Sequence, residues 1–211
     1  MNSLRGWPSF PGELPRFDPA AAPRQPHELF LEWLHDAGEQ GLAPHAMTLS
    51  TVDESGFPDA RVLILKAVDA AGWYFASSAH SPKGVELARV ARAALTFFWP
   101  HRGRQVRVRG AVTPLGAEAS AADFRERPPA SKVEAFIGGQ SAVLADEREL
   151  EDAARRAEQR LAADPALVPD GWTRYRLAAD SVEFWQAAHD RRHVRLRYSR
   201  TDRWRTERLW P

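Results

Sequence analysis

The sequence predicts a mainly β protein with α-helices, in which an antiparallel barrel carries helices on its outside. β-prone runs rich in branched and aromatic residues recur at short, regular spacing, with turn-forming residues between them. Helical apolar periodicity appears between and after these runs. In a chain of 211 residues, strands at such spacing favour a closed or nearly closed antiparallel barrel.

The N-terminal segment differs from the rest of the chain. Residues 1–25 contain repeated prolines, which oppose regular structure, so we expect an extended arm followed by one barrel domain over residues 26–211. Pro26 suits the first turn of a helix, apolar residues then recur at helical spacing, and Gly41 suits the C-terminal cap. The pattern predicts a helix between these two residues.

The first half of the domain has the spacing of an antiparallel meander. Asp53 and Gly56 mark a turn between its first two strands, and a helix is predicted to begin at Pro82 with Ser81 as its N-cap. Five strands are predicted before residue 115, at 47–52, 60–66, 73–77, 94–99 and 105–112.

The second half becomes helical and then returns to strands. Helices are predicted at 117–125, from Ser131 onward, and at 145–163. The last of these has one apolar stripe, formed by Leu150, Ala153, Ala154, Ala157 and Leu161. Four further strand runs are predicted at 172–177, 181–185, 195–198 and 204–209.

Composition and charge exclude several classes of function. The formal net charge of +1 removes a global electrostatic argument for nucleic acid or an anionic membrane as partner. The absence of cysteine excludes disulfides, thiolate nucleophiles and cysteine-ligated metals. No run approaches the ~20 apolar residues of a membrane span and no secretory leader pattern opens the chain, so we expect a cytoplasmic protein. The standard hydrolase, phosphate-loop, dinucleotide and zinc-protease motifs are absent, and we expect no metal site.

Three groups of basic side chains are candidates for anion binding. In the first, Arg61 and Lys66 lie at the two ends of a strongly apolar run. Lys83 lies in the first turn of a predicted helix, where free amides and the helix dipole attract a phosphate. Solvated basic residues are also common at strand ends and helix starts, and the residues taken alone favour that interpretation.

The second group is Arg127 with the hydroxyl of Ser131 close after it. It could form an anion site, but Pro128 fits an ordinary helix end equally well. The residues taken alone favour the ordinary helix end.

The third group is the charged run from His189 to Arg197. If this run is a strand, Arg191, His193, Arg195 and Arg197 point to one side of it. Like charges that face one way repel each other unless an anion lies opposite. A solvated strand edge explains the same run without a ligand.

Several motifs, in order and at matching separations from about Pro26 to the C terminus, carry a resemblance to a known family. They are Arg-Val-Leu-Ile-Leu-Lys at 61–66, Ser-Pro-Lys at 81–83, Gln-Val-Arg-Val-Arg-Gly at 105–110, Arg-Pro at 127–128 with Ser131, Gln-Ser at 140–141, Glu-Phe-Trp-Gln at 183–186, Arg-Arg-His at 191–193 and Glu-Arg-Leu-Trp-Pro at 207–211. Together they resemble the pyridoxamine/pyridoxine 5′-phosphate oxidases, flavin mononucleotide (FMN)-dependent split-barrel enzymes that make pyridoxal 5′-phosphate.

The resemblance implies an FMN-binding split barrel, a Greek-key-like barrel with peripheral helices. It implies a homodimer with FMN at the subunit interface and residues 170–211 as the C-terminal dimerisation region. By position, the cofactor-binding residues would be Arg61, Lys66, Ser77, Lys83, Gln105, Gln140, Ser141, Trp172 and Arg195.

The resemblance also implies a reaction and a substrate site. Lys66, Arg127 and Ser131 would bind the substrate phosphate, and Arg191 and His193 would be the catalytic residues over the substrate ring. Pyridoxamine 5′-phosphate or pyridoxine 5′-phosphate would be oxidised by the flavin, with dioxygen as acceptor and hydrogen peroxide as by-product. One phosphate on the cofactor and one on the substrate would explain basic residues gathered in a chain of near-zero net charge.

Five features depart from the family pattern and bear on the substrate more than on the fold. Asp123 stands where the family usually has a tyrosine that bonds the substrate phosphate, and a carboxylate there is unfavourable unless it is paired or points away. Val194 replaces an aspartate, and Pro82 replaces a basic residue. Trp172 lacks the two glycines that usually follow it, and the arm lacks an Arg-x-x-Tyr element.

Two alternatives accompany this interpretation. A relative on the same barrel could oxidise another planar ring, as the phenazine-biosynthesis flavin oxidases do. A non-catalytic protein could bind flavin or pyridoxal phosphate as a carrier.

Overall fold

The computed structural model describes residues 4–10, 12–39 and 41–211. Within these residues the chain forms five α-helices: α1 Pro26–Gly38, α2 Pro82–Arg89, α3 Ala117–Arg125, α4 Pro129–Ile137 and α5 Glu147–Ala163. It also forms nine strands: β1 Ala46–Val52, β2 Pro58–Ile64, β3 Ala67–Asp69, β4 Gly72–Ser78, β5 Arg92–Trp99, β6 Arg104–Pro114, β7 Trp172–Gln186, β8 Val194–Arg200 and β9 Trp204–Leu209.

The nine strands form one antiparallel sheet that branches at β7. The main path is β2-β1-β5-β6-β7-β4-β3, and β8 pairs with both β7 and β9. The first part of β7 pairs with β4 and its last part pairs with β8, while β6 follows most of its other edge. One long strand therefore serves both halves of a curled sheet, and the predicted antiparallel barrel with outer helices is confirmed.

The prediction of two separate strands at 172–177 and 181–185 is wrong, because β7 runs through both. A bulge joins them: Arg109 pairs with Ser181 and Gly110 pairs with Ala179, so Asp180 has no partner on β6. The two backbones come very close at this point, since a Cβ on Gly110 would lie 1.9 Å from the carbonyl oxygen of Ala178. A bulge bends a strand without ending it, which local periodicity does not reveal.

Among the described residues, six strands precede residue 115 rather than the predicted five. The additional strand, β3, has only three residues, which is too short to show a period-2 pattern. The Asp69 carboxylate stabilises its turn by accepting the backbone N–H groups of Ala71 and Gly72 at 2.8 and 3.1 Å. Turn chemistry and pairing with β4 therefore define this strand.

The core lies between α1 and the inner face of the sheet. Phe30 of α1 packs edge-on against Trp73 and Phe97, with ring centroids 5.7 and 4.8 Å away. Trp33 packs in the same way against Phe184 at 5.2 Å. Aromatic burial of this kind stabilises by about 1.5–3 kcal/mol for each side chain, so α1 holds both halves of the sheet together.

The predicted helix starts are confirmed to within two residues, but Gly41 does not cap α1, which ends at Gly38 with Glu39 as its C-cap. The Ser81 hydroxyl caps α2 by accepting the N–H of Gly84 at 3.3 Å, with Pro82 in the first turn. The predicted stripe of α5 is buried only in part: Ala157 is buried, but Leu150 is 39% exposed. The main contacts of α5 are with α4. A narrow apolar stripe is therefore sufficient to pack this helix.

The described part of the proline-rich arm contains two short 3-10 turns, Leu4–Gly6 and Pro19–Ala21. The arm lies against the domain, where the Tyr198 hydroxyl donates to the carbonyl oxygen of Pro23 at 2.8 Å. Whether the arm and the domain divide at residue 25 stays a prediction. Among the described residues, no helix has the length and apolar character that crossing a bilayer requires.

Candidate active site

The register of the sheet divides the expected site residues between its two faces. Gln105 lies directly opposite Trp185, which lies directly opposite Arg195, so these three side chains share the outer face. Arg61 lies opposite the buried Leu49 and therefore points to the other face, toward α2. Expected cofactor residues thus occupy both sides of one sheet.

The first group of basic residues is centred on Lys83 in the first turn of α2. Lys83 is only 5% exposed, and its ammonium donates to the amide oxygen of Gln140 at 3.0 Å. It forms no ion pair within the described part of the chain. Burial lowers the pKa of Lys83, and the positive charge of Arg61 lowers it further, against the opposing charges of Glu134, Glu86 and Asp59. A buried cation that lacks a carboxylate suits an external anion.

Arg61, by contrast, is already neutralised by the protein. Its guanidinium donates to Glu86 at 3.1 Å and also contacts Asp59 and the hydroxyl of Thr51. Glu86 comes from α2, accepts the Thr51 hydroxyl as well, and is itself buried. The sequence alone does not distinguish Glu86, because a single acidic residue on a short helix gives no signal until its burial is known.

The start of α2 adds further polar groups to the first group. Ser77 is buried, and its hydroxyl lies 3.5 Å from that of Ser81, the N-cap of α2. A cavity of about 500 Å³ opens beside this helix. Its lining includes Pro82, Glu86, Gln140 and Ser141. The structure therefore brings Ser77, Lys83 and Gln140 to one helix end, with Ser141 beside the cavity.

The second group is centred on Arg127, between α3 and α4. Its guanidinium donates to the backbone carbonyl of Ser131 at 2.7 Å and to the carboxylate of Glu134 at 3.0 Å. It stacks over the ring of Trp172 at 4.2 Å, and the Trp172 indole N–H donates to Asp123 at 3.0 Å. Burial lowers the pKa of Arg127, while the nearby carboxylates of Glu134 and Asp123 act in the opposite direction. The expected pair of Arg127 and Ser131 is brought together.

Two other expected residues are placed differently. Lys66 is exposed directly after β2, and the structure shows no hydrogen bond or ion pair from its ammonium to any described residue. Trp172, expected at the cofactor site, contacts Arg127 and Asp123 of the second group. Both cofactor roles stay predictions.

The strand predicted at 195–198 is confirmed within β8, but the charged run of the third group is not one strand from His189 to Arg197. β8 begins at Val194, and Arg191 lies in the preceding turn with a left-handed φ of 66°. The turn is held by the N–H of Ala188, which donates to Nδ1 of His193 at 3.0 Å. Because Nδ1 accepts, the ring proton of neutral His193 lies on Nε2. Arg191 and His193 therefore stand outside the alternation of the strand.

Protein carboxylates neutralise the part of this run that is a strand. Arg195 donates to Glu183 at 2.9 and 2.7 Å, and Arg197 donates to Glu207 at 2.8 Å. Arg107 also donates to Glu183. The expected like-charge repulsion is therefore removed within the chain, without a ligand.

Aromatic rings surround the turn that carries His193. The ring of Trp185 lies 4.8 Å from that of His193, and Phe10 from the arm lies 5.9 Å from Trp185. The His189 ring lies 3.1 Å from the carbonyl oxygen of Gly12. The arm thus passes beside the expected catalytic residues, which the sequence alone did not show.

The curled, branched antiparallel sheet with outer helices is a split barrel, a fold that includes FMN-binding proteins. A solved FMN-binding protein from Nostoc punctiforme, described as pyridoxamine 5′-phosphate oxidase-related, has the same fold with a TM-score of 0.73, 16% identity, and coverage of 90% of this chain and 100% of that one. PhzG from Burkholderia lata 383, solved in complex with tetrahydrophenazine-1-carboxylic acid, gives a TM-score of 0.87 and 30% identity over 95% of this chain and 100% of that one.

The chain belongs to the pyridoxamine 5′-phosphate oxidase family. The family profile described as pyridoxamine 5′-phosphate oxidase matches residues 34–161, and the profile described as the pyridoxine 5′-phosphate oxidase C-terminal dimerisation region matches residues 172–211. A pyridoxine/pyridoxamine 5′-phosphate oxidase from Pseudomonas savastanoi pv. phaseolicola is 44% identical over 196 residues, which is 91% of each chain. That from Pseudomonas fluorescens is 42% identical over the same length.

Proposed function

We propose that the protein is an FMN-dependent oxidase that converts pyridoxamine 5′-phosphate or pyridoxine 5′-phosphate to pyridoxal 5′-phosphate. Dioxygen is the acceptor and hydrogen peroxide is released. The observation that carries this proposal is two cations near one carboxylate, the buried Lys83 and the partly buried Arg127. Glu134 pairs with Arg127 and its charge also acts on Lys83. Two neighbouring sites for dianions suit a phosphorylated cofactor beside a phosphorylated substrate.

The first group fits the phosphate of FMN. The buried Lys83 has only an amide partner in the described chain. In the first turn of α2, Pro82 has no N–H and the N–H groups of Gly84 and Val85 bond to Ser81, which leaves the backbone N–H of Lys83 for a phosphate. Arg61, oriented by Glu86, adds a second donor beside it. The proposed cofactor site comprises Arg61, Lys66, Ser77, Lys83, Gln105, Gln140, Ser141, Trp172 and Arg195.

The second and third groups fit the substrate. Lys66, Arg127 and Ser131 would bind its phosphate, and Arg191 with His193 would cover its ring. His193 can donate from Nε2, because the Ala188 N–H occupies Nδ1. Bound FMN would accept a hydride equivalent from the substrate and would then reduce dioxygen. The chain orients the ring, and the guanidinium of Arg191 contacts the group that loses a proton.

The homodimer is supported by the outer face of the sheet. Val62 and Ile64 of β2 and Phe98 of β5 are exposed there, and the register places them on the same face as Gln105. A face with exposed apolar side chains beside proposed cofactor residues suits coverage by a second copy of the chain. The dimerisation-region match over residues 172–211 agrees with this arrangement.

A second candidate function is oxidation of a larger planar ring. PhzG from Burkholderia lata 383 was solved with tetrahydrophenazine-1-carboxylic acid and shares 30% identity with this chain. Asp123 also departs from the phosphate-binding tyrosine of the family pattern. This alternative predicts flavin reduction by a tricyclic dihydro-aromatic acid and little turnover of phosphorylated vitamers.

One experiment separates these candidates. The FMN-loaded protein is incubated with pyridoxamine 5′-phosphate or pyridoxine 5′-phosphate, and hydrogen peroxide and the absorbance of the aldehyde are followed together. Equal amounts of both products support the proposed oxidase. Flavin reduction only by the tricyclic acid supports the second candidate, and tight binding of the vitamer without peroxide supports a carrier.

A further inference from the structure

The geometry points to Asp123 as a positioning residue, which holds Trp172 as a platform for the Arg127 guanidinium and thereby sets the affinity for the substrate phosphate. The inference rests on the proposed function. It assigns to Asp123 and Trp172 a role in phosphate selection that acts through Arg127.

The three side chains form a continuous chain of contacts from different elements. Asp123 lies on α3 and is only 6% exposed. Its Oδ2 accepts the indole N–H of Trp172, the first residue of β7, at 3.0 Å. The Arg127 guanidinium stacks on that indole with its central carbon 4.2 Å from the ring centroid. The carboxylate fixes the ring, and the ring supports the cation.

The Arg127 guanidinium is held on three sides. The indole lies against its face, and Nε and Nη2 both donate to the Ser131 carbonyl at 3.2 and 2.7 Å. Nη2 also reaches the Glu134 carboxylate. No hydrogen bond from Nη1 to a described residue is present, so this nitrogen is the free donor for a phosphate oxygen. A held guanidinium loses less side-chain entropy on binding than a mobile one.

The same contacts explain how the Asp123 carboxylate can lie near an anion site without repelling the anion. Asp123 directs an oxygen to the indole N–H, and its charge adds to that of Glu134 in opposing the effect of burial on Arg127. The negative charge is therefore used within the protein and does not need to face the substrate. A tyrosine at this position could bond a phosphate directly, whereas Asp123 acts indirectly through the ring.

The test compares Asp123→Ala, Asp123→Asn and Trp172→Phe in the FMN-loaded protein. Asp123→Ala removes the acceptor, and Trp172→Phe removes the indole N–H but keeps a ring under Arg127. We expect each to raise KM for pyridoxamine 5′-phosphate by about three- to tenfold, and Asp123→Ala to do so with kcat and the flavin content per chain unchanged. Asp123→Asn retains an acceptor oxygen and should stay within about twofold of the original KM.

Two further measurements separate positioning from general structural damage. KM for unphosphorylated pyridoxamine should not change in any variant, because Arg127 then has no phosphate to bind. The double variant Asp123→Ala/Trp172→Phe should be no worse than either single variant, since both act on one contact. Glu118→Ala, on the exposed side of α3, is the matched control and should leave KM unchanged.

The outcomes are distinguishable from failure of the proposed function. If the parent protein does not turn over either vitamer, the proposed function fails, and calorimetric binding of pyridoxamine 5′-phosphate to the same proteins still tests the inference. An unchanged KM or Kd in both Asp123→Ala and Trp172→Phe overturns it. Equal losses for phosphorylated and unphosphorylated substrates, additive effects, or an Asp123→Asn variant as weak as Asp123→Ala also overturn it. A loss of bound flavin in Trp172→Phe without a rise in KM also overturns it, because Trp172 would then serve only the cofactor site.

Discussion

Two clusters of basic side chains in this protein differ in how their charge is balanced. On the outer face of the sheet, Glu183 lies between Arg107 and Arg195 and pairs with both. At the start of α2, Lys83 is equally buried but has only the amide of Gln140 as partner in the described chain. In the first cluster a carboxylate pairs with both arginines. In the second cluster no described carboxylate pairs with Lys83.

This difference separates a cluster whose charges the protein balances itself, including the proposed cofactor residue Arg195, from a cluster that needs an external anion. A buried carboxylate between two guanidiniums recovers much of its desolvation cost through charge-assisted hydrogen bonds. A buried lysine beside another cation does not, and it opposes folding until an anion binds. The two clusters should therefore respond in opposite directions when their central charge is removed.

The largest expected effect comes from Lys83→Met, which removes the unbalanced charge at similar volume. FMN affinity should fall by about 10- to 150-fold, because one charge-assisted contact is worth about 1.5–3 kcal/mol. The free protein should be as stable as the parent protein or more stable, since the variant buries no unpaired ammonium. Flavin fluorescence titration and thermal unfolding without FMN measure the two effects.

Arg92→Ala, at the start of β5, is the control for that experiment. Arg92 is exposed and pairs with the exposed Asp180. Its loss should leave FMN affinity within about twofold, as is usual for surface ion pairs. Full flavin occupancy of Lys83→Met after dialysis would contradict the assignment of Lys83.

Arg127→Ala should have the next largest effect, and it concerns the substrate. KM for pyridoxamine 5′-phosphate should rise by about tenfold or more, while bound flavin falls far less, because a charge-assisted phosphate contact contributes roughly 1.5–3 kcal/mol. Steady-state kinetics and flavin absorbance on the same preparation separate the two quantities. Lys132→Ala on α4 serves as control, and an unchanged KM in Arg127→Ala would remove this residue from the substrate site.

Glu183 should show a pH-dependent effect of intermediate size. Burial raises the pKa of Glu183, but hydrogen bonds and charges from Arg107 and Arg195 outweigh it and leave the pKa below its ordinary value of 4.5. The carboxylate therefore stabilises the fold above pH 4.5, and this stabilisation is lost as the pH falls through the lowered pKa of the folded state.

Glu183→Gln directly tests the direction in which this stabilisation changes with pH. At neutral pH the variant should unfold more easily by about 1–3 kcal/mol, because two arginines lose a charged acceptor. The difference from the parent protein should shrink as the pH falls below the folded-state pKa. Denaturant unfolding at a series of pH values measures it, and a difference that grows on acidification would show that the pair does not stabilise the fold.

The smallest effect is expected for Arg197→Ala. Its ion pair with Glu207 is exposed on both sides, so the free energy of unfolding should change by less than about 1 kcal/mol. Flavin affinity should not change, because this cation is already balanced. Thermal unfolding and flavin titration measure both, and a tenfold loss of FMN affinity would show that the paired cluster also serves the cofactor.

Much of the local structure could be predicted from the residues alone. Periodicity and end signals predict three helices and one hairpin to within a few residues of their observed bounds. These are the helices around Trp33, after Ser81 and at 117–125, and the hairpin that joins β5 to β6. The family resemblance was also detectable, because its motifs are short runs of adjacent residues. Arg127 and Ser131 were grouped correctly for the same reason.

The balance of charge could not be predicted in this way. The sequence shows Arg195 and Arg197 in a crowded basic run, and only the strand register places Glu183 and Glu207 opposite them. Asp123 reaches Trp172 across 49 positions in the chain. A pairing of this kind depends on which elements pack together, and neither partner carries a local signal of it.

The sequence by itself determined the class of fold, most elements and the family, because periodicity, caps and motifs act between residues close in the chain. Only the tertiary structure decided that β7 is one bent strand, that Arg191 and His193 precede β8, and which buried cations lack a carboxylate. The reason is physical: burial and cross-strand register set the cost of each charge, and both arise only when distant segments meet.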